Sequence, residues 1–195
     1  MKKQRIAAIV LAAGGSTRFG STKQLHQHAG EPLVRRAALA ALQAGADPVI
    51  VVLGSEATTI AAALDDQGQI RVLINPDWTT GLASSLRVGL NAEAELSDGI
   101  LVTLSDQPLV DALALQKLMK QFDDTHRIVA SSYADTVGVP AVFGHEHFPE
   151  LRALTGDHGA GKWIRARIAE VTIVPLEEAA MDIDTPADAA LLEER

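Results

Sequence analysis

Between Ala12 and Lys23 the sequence passes from four nearly bare residues, Ala12, Ala13, Gly14 and Gly15, to Ser16, Thr17, Arg18, Ser21, Thr22 and Lys23. Backbone N–H groups without bulky side chains over them can approach a ligand closely. Hydroxyls, a guanidinium and an ammonium beside them suit a polyanion such as a nucleoside triphosphate. The spacing matches neither of two common phosphate motifs. Gly14, Gly15 and Gly20 do not fit GxGxxG, and Ser21 stands where GxxxxGK[ST] requires Lys. The competing reading is a glycine-rich turn with Arg18 and Lys23 merely solvated.

Asp106 is the second candidate. It follows Gly99 to Leu104, GILVTL, an apolar strand with little room for a charge, so its carboxylate belongs at the strand's end, where it can hold Mg²⁺. A turn residue ahead of Pro108 is the plainer alternative. Near the C-terminus, Thr185 as N-cap, Pro186 at the first helical position and Asp188 at the capping-box position read as a helix start. That reading leaves Asp182 and Asp184, both just before the helix, unexplained.

These groups must be carried by strands and helices. Ile6 to Leu11 is an unbroken apolar run of strand length, as for a central parallel strand buried on both faces. Asp47 to Leu53, Gln69 to Ile74, Gly99 to Leu104, Arg127 to Ser132, Val139 to Phe143 and Val171 to Val174 follow as strands, with Pro140 moving its strand towards an edge or a strand start. Between them, Val34, Ala37, Ala38, Ala41 and Leu42 mark one helix face, stopped by Gly45, and Ala57, Ile60, Ala61 and Leu64 mark another. Leu82, Leu86 and Leu90 form a third stripe, Leu115, Leu118, Met119 and Phe122 a fourth, and Ala160, Trp163, Ile164 and Ile168 a fifth. Thr185 to Glu194 closes the chain, and Asn75-Pro76-Asp77 is a turn. Strands alternating with amphipathic helices predict a mostly parallel sheet covered on both faces, with ligands outside the strands' carboxyl ends. Ala12 to Lys23 and Ser105 to Pro108 then face one cleft.

Leu11-Ala12-Ala13-Gly14-Gly15-Ser16-Thr17-Arg18-Phe19-Gly20-Ser21-Thr22-Lys23 resembles the L-A-A-G-x-S-x-R-x-G-x-x-K signature of nucleotidyltransferases related to the molybdenum cofactor cytidylyltransferase and guanylyltransferase. Gly30, Pro32 and Leu33 continue it, whereas Phe19 departs from the family's usual Met. Asp106-Gln107-Pro108 resembles the D-x-P metal motif, and Ile183 to Asp188 resembles I-D-T-P-x-D, whose first Asp makes Asp184 a second Mg²⁺ ligand, with Asp182 as fallback. Ser85 to Leu90 resembles the S-[LV]-x-x-G-L helix near which base and ribose are read; for Ser84 and Ser85 an ordinary structural role is the alternative. Leu154 to Ala160 resembles L-x-G-D-x-G-A, although Gly161 and Lys162 replace the usual following Arg, and Asp157 could instead be a helix N-cap. The resemblance covers nearly the whole chain and implies a three-layer α/β/α Rossmann-like nucleotidyltransferase fold with a mostly parallel sheet. It implies catalysis by Arg18 and Lys23, nucleotide binding by Leu11, Ala12, Ala13, Gly14, Gly15, Ser16 and Ser85, and Mg²⁺ on Asp106 and Asp184. Ala13, where guanylyl relatives usually have Gly, points to CTP as donor.

The 195 residues, 47% hydrophobic, suit one domain with a substantial core. With no cysteine there is no disulfide frame, thiolate metal site or Cys nucleophile. A formal net charge of −8 argues against a nucleic-acid partner. No apolar run reaches membrane-spanning length. Lys2, Lys3 and Arg5 ahead of an apolar run could suggest a secretory signal, but the run is short and continues into a coherent α/β pattern, so the cytoplasm is the expected compartment. His145-Glu146-His147, His26 and His28 are weak metal candidates, since two His at i and i+2 without further ligands more often lie in a solvated loop. The reaction the resemblance implies is transfer of CMP from CTP to a phosphorylated pterin of molybdopterin type, releasing pyrophosphate, with a molybdoenzyme as eventual client. Alternatives are guanylyl transfer, another phosphorylated acceptor such as methylerythritol phosphate, or a non-catalytic cofactor-binding and delivery protein.

Overall fold

The computed structural model describes residues 4–64, 68–93, 95–123 and 126–193. Lys2 and Lys3, and the predicted helix end at Glu194, lie outside them. The apolar runs form strands β1 (Ile6–Ala12), β4 (Val49–Leu53), β5 (Ile70–Ile74) and β6 (Gly99–Leu104), and later β7 (Ile128–Tyr133), β8 (Thr136–Gly144) and β9 (Val171–Pro175). A short hairpin, β2 (Gln27–His28) with β3 (Glu31–Pro32), stands apart. The large sheet has the order β5-β4-β1-β6-β8-β7-β9. Every strand of it points the same way except β8, which runs antiparallel to both neighbours.

Period-two alternation sorts β1 cleanly. Ala8, Val10 and Ala12 face one core with α1 (Leu33–Gln43), α2 (Ala57–Ala62) and α4 (Ala112–Gln121). Ala7, Ile9 and Leu11 face a second core with α3 (Leu82–Glu93), α5 (Phe148–Arg152) and α6 (Ala160–Arg165). Three layers result, as the alternation of elements predicts. A smaller cluster of Leu33, Ile183, Ala189 and Leu192, backed by Phe19, seats α7 (Pro186–Glu193) against the start of α1 and the glycine loop.

Some expectations need correction. The strand carrying Pro140 is interior, between β6 and β7. Its missing N–H is absorbed by an irregularity: Ala130 pairs with Ala141 and Ser131 with Gly138, so Val139 and Pro140 bulge out of register. β7 and β8 also form a tight hairpin through Ala134 and Asp135, both at positive φ, which carries β8 back to Thr136. Ile168 does not continue the α6 face. The helix ends at Arg165 and Ile168 opens a single 3₁₀ turn, 45% exposed. Gly159, not Asp157, occupies the N-cap of α6.

Candidate active site

The glycine loop leaves β1 at the centre of the sheet, beside the carboxyl end of β6. Ser105 N–H donates to the Leu11 carbonyl at 3.2 Å, which extends the β1–β6 register one step and brings Asp106 level with the loop. Lys23 lies in a 3₁₀ turn, Lys23–Leu25, that returns from the loop towards the sheet. Its Nζ donates to Asp106 Oδ2 at 2.7 Å and to Asp184 Oδ1 at 3.0 Å. Arg18 reaches the other oxygen of Asp184, Oδ2, at 3.0 Å. Two cations and two carboxylates, far apart along the chain, thus meet at one place.

Asp184 is held there by local chemistry. Ile183 is fully buried, and its N–H donates to the Asp106 carbonyl at 2.9 Å. Asp188 Oδ2 accepts from the backbone N–H of Asp184 and of Thr185, while Thr185 Oγ1 accepts from the Asp188 N–H, a reciprocal capping box. The Thr185 hydroxyl, which also donates to Oδ2 at 2.9 Å, and after it these backbone hydrogen bonds hold the Asp188 carboxyl below the usual aspartate range.

Electrostatically the cluster is lysine-centred. Burial opposes the charge on Lys23, but Asp106 and Asp184 outweigh it and hold its pKa above the usual lysine value. Asp182 keeps an exposed surface, yet crowding by surrounding protein, followed by the Asp106 charge, pushes its carboxyl up to about 6. It makes no hydrogen bond to Lys23, unlike Asp106 and Asp184. Asp106 Oδ1 is buried with no hydrogen-bond partner among the described residues, so a hard oxygen donor is left over. That atom fits a divalent cation. No cluster of three or more His, Asp or Glu that could hold a metal occurs among the described residues. The acid pair therefore suits a divalent ion that takes its remaining ligands from outside the protein. His145, Glu146 and His147 form a surface 3₁₀ turn, and Phe19 packs edge-on to His26, centroids 5.5 Å apart.

Beside the cluster lies a cleft of about 430 Å³, lined by Leu11, Ala12, Ala13, Gly14, Ser85, Lys23 and Asp106 among others, with Trp78 and Asp157 on its walls. Gly15 and Ser16 line an adjoining hollow of about 350 Å³, together with Gly20 and Thr22. Arg18 is largely exposed, its side chain 73% accessible.

The sequence reading missed Gln24. It is 2% exposed, and its Nε2 donates to the carbonyls of Ala12 at 3.1 Å and Gly14 at 2.7 Å, while its Oε1 accepts from Ser16 Oγ. One side chain therefore ties both ends of the bare loop and holds those two carbonyls. Its only signal is adjacency to Lys23. Trp78 was also missed: a Cβ on Gly15 would lie 3.0 Å from its ring and one on Gly54 2.6 Å from it, so both glycines make room for the indole.

A mostly parallel sheet with a small-residue loop and an acid–lysine cluster at its carboxyl edge defines an α/β nucleotidyltransferase. The chain belongs to the MobA-like NTP transferase domain family, matched over residues 8–171. It is similar to nicotine blue oxidoreductase of Paenarthrobacter nicotinovorans, 29% identical over 92% of either chain. It also resembles the crystal structure of Rv0371c from Mycobacterium tuberculosis H37Rv, with a TM-score of 0.83, 31% identity and complete coverage of both chains. A nucleotidyl transferase of Methanothermobacter thermautotroptrophicus shares the fold, with a TM-score of 0.85, 24% identity, and 98% of this chain and 97% of that one covered. No helix among the described residues is long and apolar enough to cross a membrane.

Proposed function

We propose that this chain, acting as a single domain, transfers CMP from CTP to a phosphorylated acceptor of the molybdopterin type and releases pyrophosphate. The observation that carries the reading is the Lys23 ammonium held between Asp106 and Asp184, with Arg18 on the far side of Asp184, at the mouth of the cleft. Family membership alone does not fix the reaction, because a relative of similar length bears the name of an oxidoreductase. The cluster favours phosphate chemistry. Its charged groups suit a polyphosphate, and the free Asp106 oxygen suits a divalent cation. A structure of Rv0371c from the mycobacterium, 30% identical, is a complex with manganese.

The acceptor phosphate attacks the α-phosphorus in line and pyrophosphate leaves from the opposite side. No covalent enzyme intermediate is required, so catalysis is positioning and charge neutralisation. Lys23 and Arg18 hold the triphosphate and stabilise the negative charge gathering on the leaving pyrophosphate. Backbone N–H groups of Ala13 to Ser16 bind phosphate oxygens, and Leu11, Ala12 and Ser85 border the nucleoside. Asp106 and Asp184 would hold Mg²⁺, which supplies Lewis-acid stabilisation of the phosphates. CTP as donor rests on the Leu11-Ala12-Ala13-Gly14 stretch, where Ala13 matches the cytidylyl form of the motif. The product would pass to a molybdoenzyme in the cytoplasm.

The test measures pyrophosphate release with CTP, GTP, UTP and ATP, each with the phosphorylated pterin or methylerythritol phosphate as acceptor. Release with CTP and the pterin is expected; release with none of the nucleotides removes the reading.

A further inference from the structure

Asn75 follows β5 in a segment whose sequence reads as an ordinary turn, yet it is only 1% exposed. The Asp77 N–H donates to its Oδ1 at 3.0 Å, which fixes the orientation of the amide. Nδ2 then donates to Ser84 Oγ at 2.8 Å and to Ser85 Oγ at 2.9 Å, using both of its protons. Ser84 hands its own proton to the carbonyls of Gly81, at 2.8 Å, and Asp77, at 3.1 Å. Ser85 has no such outlet. It is 1% exposed, accepts from Asn75, makes no donation to any described residue, and lines the cleft beside Lys23 and Asp106.

We propose that Asn75 is a positioning residue that sets the hydrogen-bond polarity of the nucleotide cleft. By donating to Ser85 it obliges that hydroxyl to present its O–H to the ligand. The cleft thereby selects a nucleoside with a hydrogen-bond acceptor at this point, a carbonyl oxygen or an unprotonated ring nitrogen of the base. Cytosine carries such atoms side by side, O2 and N3. A base presenting an N–H would set two donors against each other in a buried place, which disfavours it. The inference rests on the proposed function only for the ligand being a nucleoside triphosphate.

The test is equilibrium calorimetry of CTP, UTP, GTP, ATP and inorganic triphosphate, with no acceptor present. Ser85→Ala is expected to weaken the preferred nucleotide about tenfold, the loss of one buried hydrogen bond. Inorganic triphosphate, which has no nucleoside, should bind unchanged within about twofold. Asn75→Asp keeps the shape but offers only acceptors, so the Ser85 proton turns inward and the preferred nucleotide weakens at least as much. In the Ser85→Ala background the same change adds less than about twofold, because Asn75 acts through Ser85. The assignment is overturned if either variant weakens inorganic triphosphate equally, or if Asn75→Asp keeps its full effect without the Ser85 hydroxyl. Should Asn75→Asp fail to fold, Asn75→Ala, which releases the hydroxyl to rotate, must give the same pattern. This pattern among the variants, together with a wild type that releases no pyrophosphate, would overturn the reaction and leave the assignment standing.

Discussion

Lys23 sits between two carboxylates that would otherwise repel each other, and it does so with only 13% of its side chain accessible. Replacing it by Met removes the countercharge and, on the proposed reaction, a group that holds the triphosphate. Pyrophosphate release should fall about 10²–10³-fold, the usual scale for losing one preorganised charge-stabilising group, while circular dichroism reports a retained fold. Gln24 works at the same scale through the main chain of the loop. Gln24→Leu strands the Ala12 and Gly14 carbonyls and should cost about 1–3 kcal/mol of stability in urea titration, with a raised KM for nucleotide. Lys23 was legible because its charge stood within a phosphate-like motif. Gln24 was not, since a buried amide that bonds main chain follows no periodicity, and Asn75 was legible only as a turn former because its partners lie on another element.

At the scale of elements, α7 anchors the segment that carries Asp184, and the β2–β3 hairpin joins the Lys23 turn to α1. Thr185→Ala removes the hydroxyl that accepts from the Asp188 N–H. A helix cap of this kind contributes about 1 kcal/mol, so the variant should melt lower, and kcat should drop as Asp184 loses its fixed approach to Lys23. The hairpin makes a pH prediction. Burial, then the charges of Arg36 and His26, hold His28 below its ordinary value of 6.5, against a weaker opposing pull from Glu193. The unfolded chain therefore takes up this proton before the folded one, and stability falls as pH drops below 6.5. His28→Gln should flatten that fall, read as a smaller loss of Tm between neutral and mildly acidic buffer. Elements were the best-read level: buried runs gave the strands and apolar spacing the helix faces. β8 failed because a proline announces a missing donor, whereas the bulge that tolerates it depends on the neighbouring strand.

For the molecule as a whole, the two cores on either side of the sheet are built of apolar side chains, and Lys23 already pairs with both acids. Chelation should therefore stop pyrophosphate release yet leave Tm in the absence of nucleotide within about 2 °C, because an ion that binds only weakly to the folded chain adds little to its stability. A metal needed to build the fold would instead lower Tm markedly. The meeting of Lys23 with Asp184 spans 161 positions. All strands of the sheet are complete by Pro175, before that last acid is reached. During synthesis on the ribosome, every strand of the sheet is thus made before the charge cluster can assemble, and a product of premature termination just past Pro175 would carry all the strands yet lack the acid that closes the cluster.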